Sequence, residues 1–267
     1  LYPQGHPYSW TTIGYLEDLN AATVQDLKNF FLRWYGPNNA ILTVAGDINP
    51  QETLKLIEKY FGSINRGPEV KKLRVDPFYL PDDRYASYTD RVYIPLFQVV
   101  YPSVKNYDAD EPALDLLASI LGNGNSSPFY KNLVKTERAL QANVFNPCGE
   151  LGGEFTIQIA GNYGTPLDSV KVWLSETFAQ FEKAGISDDQ LQRAKAMMEA
   201  QLIGGFESIA GRASQLASWE YLVGRTWNIG DELKRYNKVT KEDIIRVYNK
   251  YIKGRNKLIV SVYPAIP

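Results

Sequence analysis

The chain has 267 residues, with 29 Lys and Arg against 30 Asp and Glu, for a formal net charge of −1. That balance excludes the basic footprint of a nucleic-acid surface. A single cysteine excludes a disulfide framework or a thiolate metal cluster, and no apolar run reaches the length of a membrane-spanning helix.

Residues 1–14 are rich in Pro, Gly and aromatics and read as a surface loop, followed by one helical turn at 15–20. Residues 23–47 predict a capped helix, a tight turn and a buried strand. Thr23 and Asp26 have the spacing of a near capping box. Leu27, Phe30, Phe31 and Trp34 follow at i, i+3, i+4 and i+7, one apolar stripe. Gly36-Pro37 ends the helix, because Pro cannot continue it, and 40–45 is an apolar run of strand length. A second amphipathic helix is expected at 51–61 with Leu54, Ile57, Tyr60 and Phe61 inward, and 65–83 reads as an extended linker.

Beyond the linker, 85–101 predicts a strand broken at Pro95, and 112–121 a helix. The sharp loop Gly122-Asn123-Gly124-Asn125-Ser126-Ser127 precedes Pro128 at the start of a short helix over 129–138. A hairpin is expected from 141–145 and 155–159. Helices follow at 166–183, from Ser187 onward, at 209–223 and at 230–236. The order predicts an α+β fold, an antiparallel sheet with helices packed on one face.

The opening unit returns at the end. At an offset of 217 residues (240 minus 23), Thr23 matches Thr240, Asp26 matches Asp243, and Asn39 matches Asn256. The stripe returns as Ile244, Val247, Tyr248 and Tyr251. Helix phase, turn and strand agree together, which points to duplicated domains with the first copy truncated. The expected division is a C-terminal remnant at 1–64, a linker at 65–83 and a complete second domain at 84–267.

Candidate chemistry is sparse. His6 is the only histidine, in a Gly-His-Pro-Tyr loop with no second ligand nearby. Its simplest role is a loop histidine bonded to backbone. The 122–127 loop lacks the lysine of a phosphate-binding loop; it reads as a helix-start loop or a ligand or peptide contact. Glu150, Glu154 and Glu137–Arg138 read as solvated charges, and Met197-Met198 as core. No catalytic or metal residue is assigned.

Two stretches resemble the pitrilysin/insulinase-type family of zinc metallopeptidases, which includes processing-peptidase-like proteins. One is the HPY of 6–8 with TIG, LNAAT, the paired Phe30-Phe31 and WYGPNNAILTVAGDI; the other is LASILGNGNSSPFYKNLVKTERALQANV at 117–144. The resemblance implies a parent that is a zinc metalloendopeptidase acting on peptides or unfolded proteins in a chamber. Metal-activated water would attack there, assisted by a glutamate base. It implies zinc held by an H-x-x-E-H segment that this chain lacks, so this chain alone is expected to be inactive, without cofactor and with substrate-binding residues unknown. An Arg/Tyr pair that holds substrate in the family falls here on Val134 and Gln141, or on Lys135 and Ala142, and neither register provides it. The implied partners are substrate and the other peptidase half or a partner subunit, in the periplasm or cytoplasm of a bacterium. Two alternatives are a structural or assembly protein of the same fold and an unrelated peptide-binding module.

Overall fold

The computed structural model describes residues 1–224 and 228–265. In chain order it forms helices α1 (Leu16–Ala21), α2 (Val24–Trp34) and α3 (Pro50–Phe61), then strands β1 (Arg84–Asp90) and β2 (Leu96–Ser103). Helix α4 (Glu111–Gly122) precedes β3 (Ala139–Phe145) and β4 (Gly153–Gly161). Helices α5 (Leu167–Ala184), α6 (Asp188–Gly204), α7 (Ile209–Val223), α8 (Ile229–Asn237) and α9 (Lys241–Tyr251) lead to β5 (Leu258–Pro264). The chain divides into two compact units, the larger containing Asp76–Gln201 and the chain from Gly230 onward, the smaller Tyr2–Val75 and Leu202–Ile229.

The larger unit is built on one five-stranded sheet of order β1-β5-β2-β4-β3, in which β1 pairs parallel with β5 and the other neighbours are antiparallel. The register places Phe97, Val99 and Tyr101 opposite Ile159, Ile157 and Phe155, so these six share one face. All six are buried. The helical half of this core is Leu114, Leu117 and Leu121 from α4 with Ile244, Val247 and Tyr248 from α9. The expected hairpin forms as β3 and β4. The single broken strand expected at 85–101 is instead two strands that do not pair, each hydrogen-bonded to β5, so the break at Pro95 is a change of position in the sheet. The short helix expected at 129–138 narrows to a π-helical turn, Tyr130–Val134.

In the smaller unit the sequence signals act locally. Thr23 Oγ accepts from the Asp26 backbone N–H at 3.2 Å and the Asp26 carboxylate accepts from the Thr23 N–H at 2.9 Å, a complete capping box. Asn39 donates to the Trp34 carbonyl at 2.8 Å, satisfying the end of α2, and Asn38 clasps Gly67 and Pro68 across the turn. The expected strand at 40–45 pairs with no strand among the described residues, and without a partner ladder it forms no sheet. Likewise Leu54, Tyr60 and Phe61, expected inward, are exposed, as are Leu27, Phe30 and Phe31 of α2.

Thr240 and Asp243 repeat the same box on α9, at 3.2 and 3.0 Å. The repeat is therefore real in local geometry while its two copies differ in burial. Ile244 is fully buried, and its counterpart Leu27 is 65% exposed.

Candidate functional site

His6 is held by its own loop. Its Nδ1 accepts from the Tyr8 backbone N–H at 3.0 Å, and its ring stacks on Tyr2 at 4.7 Å. An Nδ1 that accepts leaves the neutral ring's proton on Nε2. The expectation of a loop histidine bonded to backbone describes this geometry.

The 122–127 loop turns sharply between α4 and the π-helical turn. A side chain at Gly122 would place its Cβ 2.7 Å from the Val144 nitrogen, so only glycine lets α4 end against β3. Gly124 has φ +77°, and Ser127 Oγ accepts from the Tyr130 N–H at 3.3 Å. Two clefts of about 140 Å³ flank the loop. One is lined by Asn123, Arg193 and Met197, the other by Lys131 and Asn132, and Ser126 and Gln190 face both. This surface is open and more apolar than polar, and the residues lining it include no nucleophile paired with a base. Val134 and Lys135 lie at the π-helical turn, and Gln141 and Ala142 on β3, with Gln141 exposed and Ala142 buried. Arg138 pairs with Glu176 at 2.6 Å, both partly exposed.

The main charged constellation was not legible in sequence. Asp110, at the start of α4, accepts from Arg246 at 2.6 Å, Lys250 at 2.9 Å and the Tyr251 hydroxyl at 2.8 Å. Burial pushes its carboxyl up, but these donors outweigh burial and hold it at about 2. Asp115, one turn along α4, accepts from Asn146 Nδ2 at 2.8 Å and the Tyr236 hydroxyl at 2.8 Å. There burial wins and raises the carboxyl to about 6. Burial also raises the Cys148 thiol, the direction of an unreactive buried cysteine.

Zinc does not fit the donors of the described residues. Among the described residues no group of three or more His, Cys, Asp and Glu could hold a metal ion. The one histidine has a ring nitrogen that accepts from the Tyr8 backbone N–H. Also among the described residues, no helix is long and apolar enough to cross a membrane.

Residues 21–198 match the family described as the peptidase M16 inactive domain. The chain is 28% identical over 267 residues to zinc protease PqqE of Helicobacter pylori, covering 97% of this chain and 59% of that protein. It is 23% identical over 291 residues to a probable mitochondrial-processing peptidase subunit beta of Schizosaccharomyces pombe, covering 97% and 59%. The crystal structure of a protease from Helicobacter pylori superposes with a TM-score of 0.83 at 27% identity, over 97% of this chain and 63% of that one. The chain thus spans about three-fifths of the length of these relatives. With an α+β sheet fold and a family match over most of its length, the chain belongs to the peptidase M16 inactive-domain family, within the pitrilysin/insulinase-like group.

Proposed function

We propose that this chain is the non-catalytic portion of a longer zinc-dependent metalloendopeptidase that cleaves peptides or unfolded proteins in a chamber. The observation that carries the reading is the repeated unit seen in two environments. On α9 the apolar stripe is buried beneath a sheet, whereas on α2 the same stripe, behind the same capping box, is exposed. We read 84–267 as a complete second peptidase-type domain, 65–83 as linker and 1–64 as the closing part of a first one. The rest of that first domain would supply zinc, its ligands and the glutamate base; 84–267 would supply chamber wall. Its partners would be the substrate and the other peptidase half, in one polypeptide or as a separate subunit, in a bacterial periplasm or cytoplasm.

A structural or assembly role on the same fold is the second reading. It is favoured by Val134 and Gln141, or Lys135 and Ala142, standing where active relatives place an Arg/Tyr pair. The test is the coding sequence upstream of Leu1. An H-x-x-E-H segment followed by a later glutamate is expected, and an open reading frame with neither would sink the peptidase reading. If that segment is present, hydrolysis of unfolded peptide by the zinc-loaded full-length protein separates the two roles.

A further inference from the structure

The turn that ends α4 carries the only Asn-Gly pair in the sequence, Asn123-Gly124, and both residues are exposed. Asn123 is the C-cap of α4, and its backbone N–H donates to the Ser119 carbonyl at 2.9 Å. Its side chain makes one hydrogen bond among the described residues, from Nδ2 to Ser119 Oγ at 3.3 Å. That contact is long, and it lies at the surface where water competes for both groups. Gly124 has φ +77°, and a Cβ built on it would meet nothing within 4 Å. The Gly124 carbonyl accepts from the Ser127 N–H at 3.1 Å, but among the described residues no acceptor takes the Gly124 N–H. The Gly124 nitrogen is therefore next to a weakly held side-chain amide, with no side chain, packed neighbour or hydrogen bond to shield it.

We propose that Asn123 is a site of spontaneous deamidation, a self-modification that turns the end of α4 acidic. The Gly124 backbone nitrogen loses its proton to solvent base and attacks Asn123 Cγ. A Cγ–N bond forms, the Cγ–Nδ2 bond breaks, and Nδ2 leaves as ammonia after taking a proton from water. The resulting five-membered succinimide then adds one water. Opening at Cγ leaves an aspartyl side chain. Opening at the Asn123 backbone carbonyl leaves an isoaspartyl link, with the chain running through Cβ and Cγ. One water is consumed and one ammonia released, and no oxidant or reductant takes part. Glycine favours the step because a Cβ on the following residue restricts the backbone and crowds the approach. Asn125-Ser126 in the same loop carries that Cβ, and no other asparagine in the chain precedes a glycine. Either product places a carboxylate at the C-terminus of α4, where it opposes the helix dipole. The cleft that Asn123 lines together with Arg193 gains an acid. The inference is independent of the peptidase reading.

Incubating the full 267-residue chain in mildly alkaline buffer tests it, with peptide mapping by mass spectrometry at intervals and a synthetic peptide of residues 117–131 treated alongside. Asn123 should convert before every other asparagine. An exposed turn needs little opening, so its rate in the folded chain should lie within about tenfold of the rate in the peptide. In heavy-oxygen water the converted residue should carry one solvent oxygen, and isoaspartyl methyltransferase should label part of the product. Gly124→Ala should slow the conversion roughly tenfold. The positive φ at Gly124 strains that variant, so the comparison with the peptide decides if it does not fold. Conversion at Asn123 slower than that tenfold margin, or another asparagine reacting first, overturns the proposal.

Discussion

Asp110 fastens α9 to the start of α4 through Arg246, Lys250 and Tyr251, residues 136 to 141 positions away in sequence. That separation is why it escaped sequence reading: helical periodicity reports neighbours three and four residues apart and says nothing of partners across the domain. Asp115 left one faint signal, a carboxylate set among Leu114, Leu116 and Leu117 in a helix apolar on nearly all sides. His6 was legible because its partner, Tyr8, is two residues away. Replacing Asp110 with Ala should cost about 1–2 kcal/mol in urea unfolding at pH 7, with half-exposed Arg246 and Lys250 keeping the loss moderate. Its carboxyl lies below its usual value, so its contribution is present above about pH 4 and disappears as pH falls through about 2. The gap between wild type and Asp110→Ala should therefore narrow across that range; a gap unchanged down to pH 2 would show that ionisation is not what matters.

At the scale of elements, signals contained within one helix or one hairpin were readable. The two capping boxes, the stripes of α2 and α9 and the β3–β4 pairing all rest on residues close in sequence. What failed depended on distant partners. Residues 40–45 carry a strand's composition without a ladder, and β1 and β2 read as one strand until the sheet order separated them. The duplicated unit makes this contrast measurable. Thr240→Ala should cost about 1 kcal/mol by removing the α9 cap. Ile244→Ala should cost about 2–5 kcal/mol, and Leu27→Ala at the matching position should stay within about 0.5 kcal/mol in this chain. Equal costs at the two positions, by urea unfolding, would mean that α2 is packed as tightly as α9. Gly122→Ala should lose about 1–3 kcal/mol, because the new methyl meets Val144 backbone and α4 must shift. Unchanged stability would show that α4 can give way there.

For the whole molecule, burial and chemistry divide along the chain. The larger unit encloses a dense core, and the smaller one presents aromatic and aliphatic faces to solvent. A family of proteins named as zinc proteases and processing peptidases is matched by a chain whose described residues offer no place for zinc. The proposed function requires that catalysis in a longer zinc peptidase rest on residues outside this chain. The most direct measurement incubates the purified 267-residue chain with equimolar zinc and an unfolded peptide, then follows retained metal after gel filtration and cleavage products by mass spectrometry. The account predicts no retained stoichiometric zinc and no chelator-sensitive cleavage. Chelator-sensitive cleavage by this chain alone, with zinc retained one to one, would contradict it.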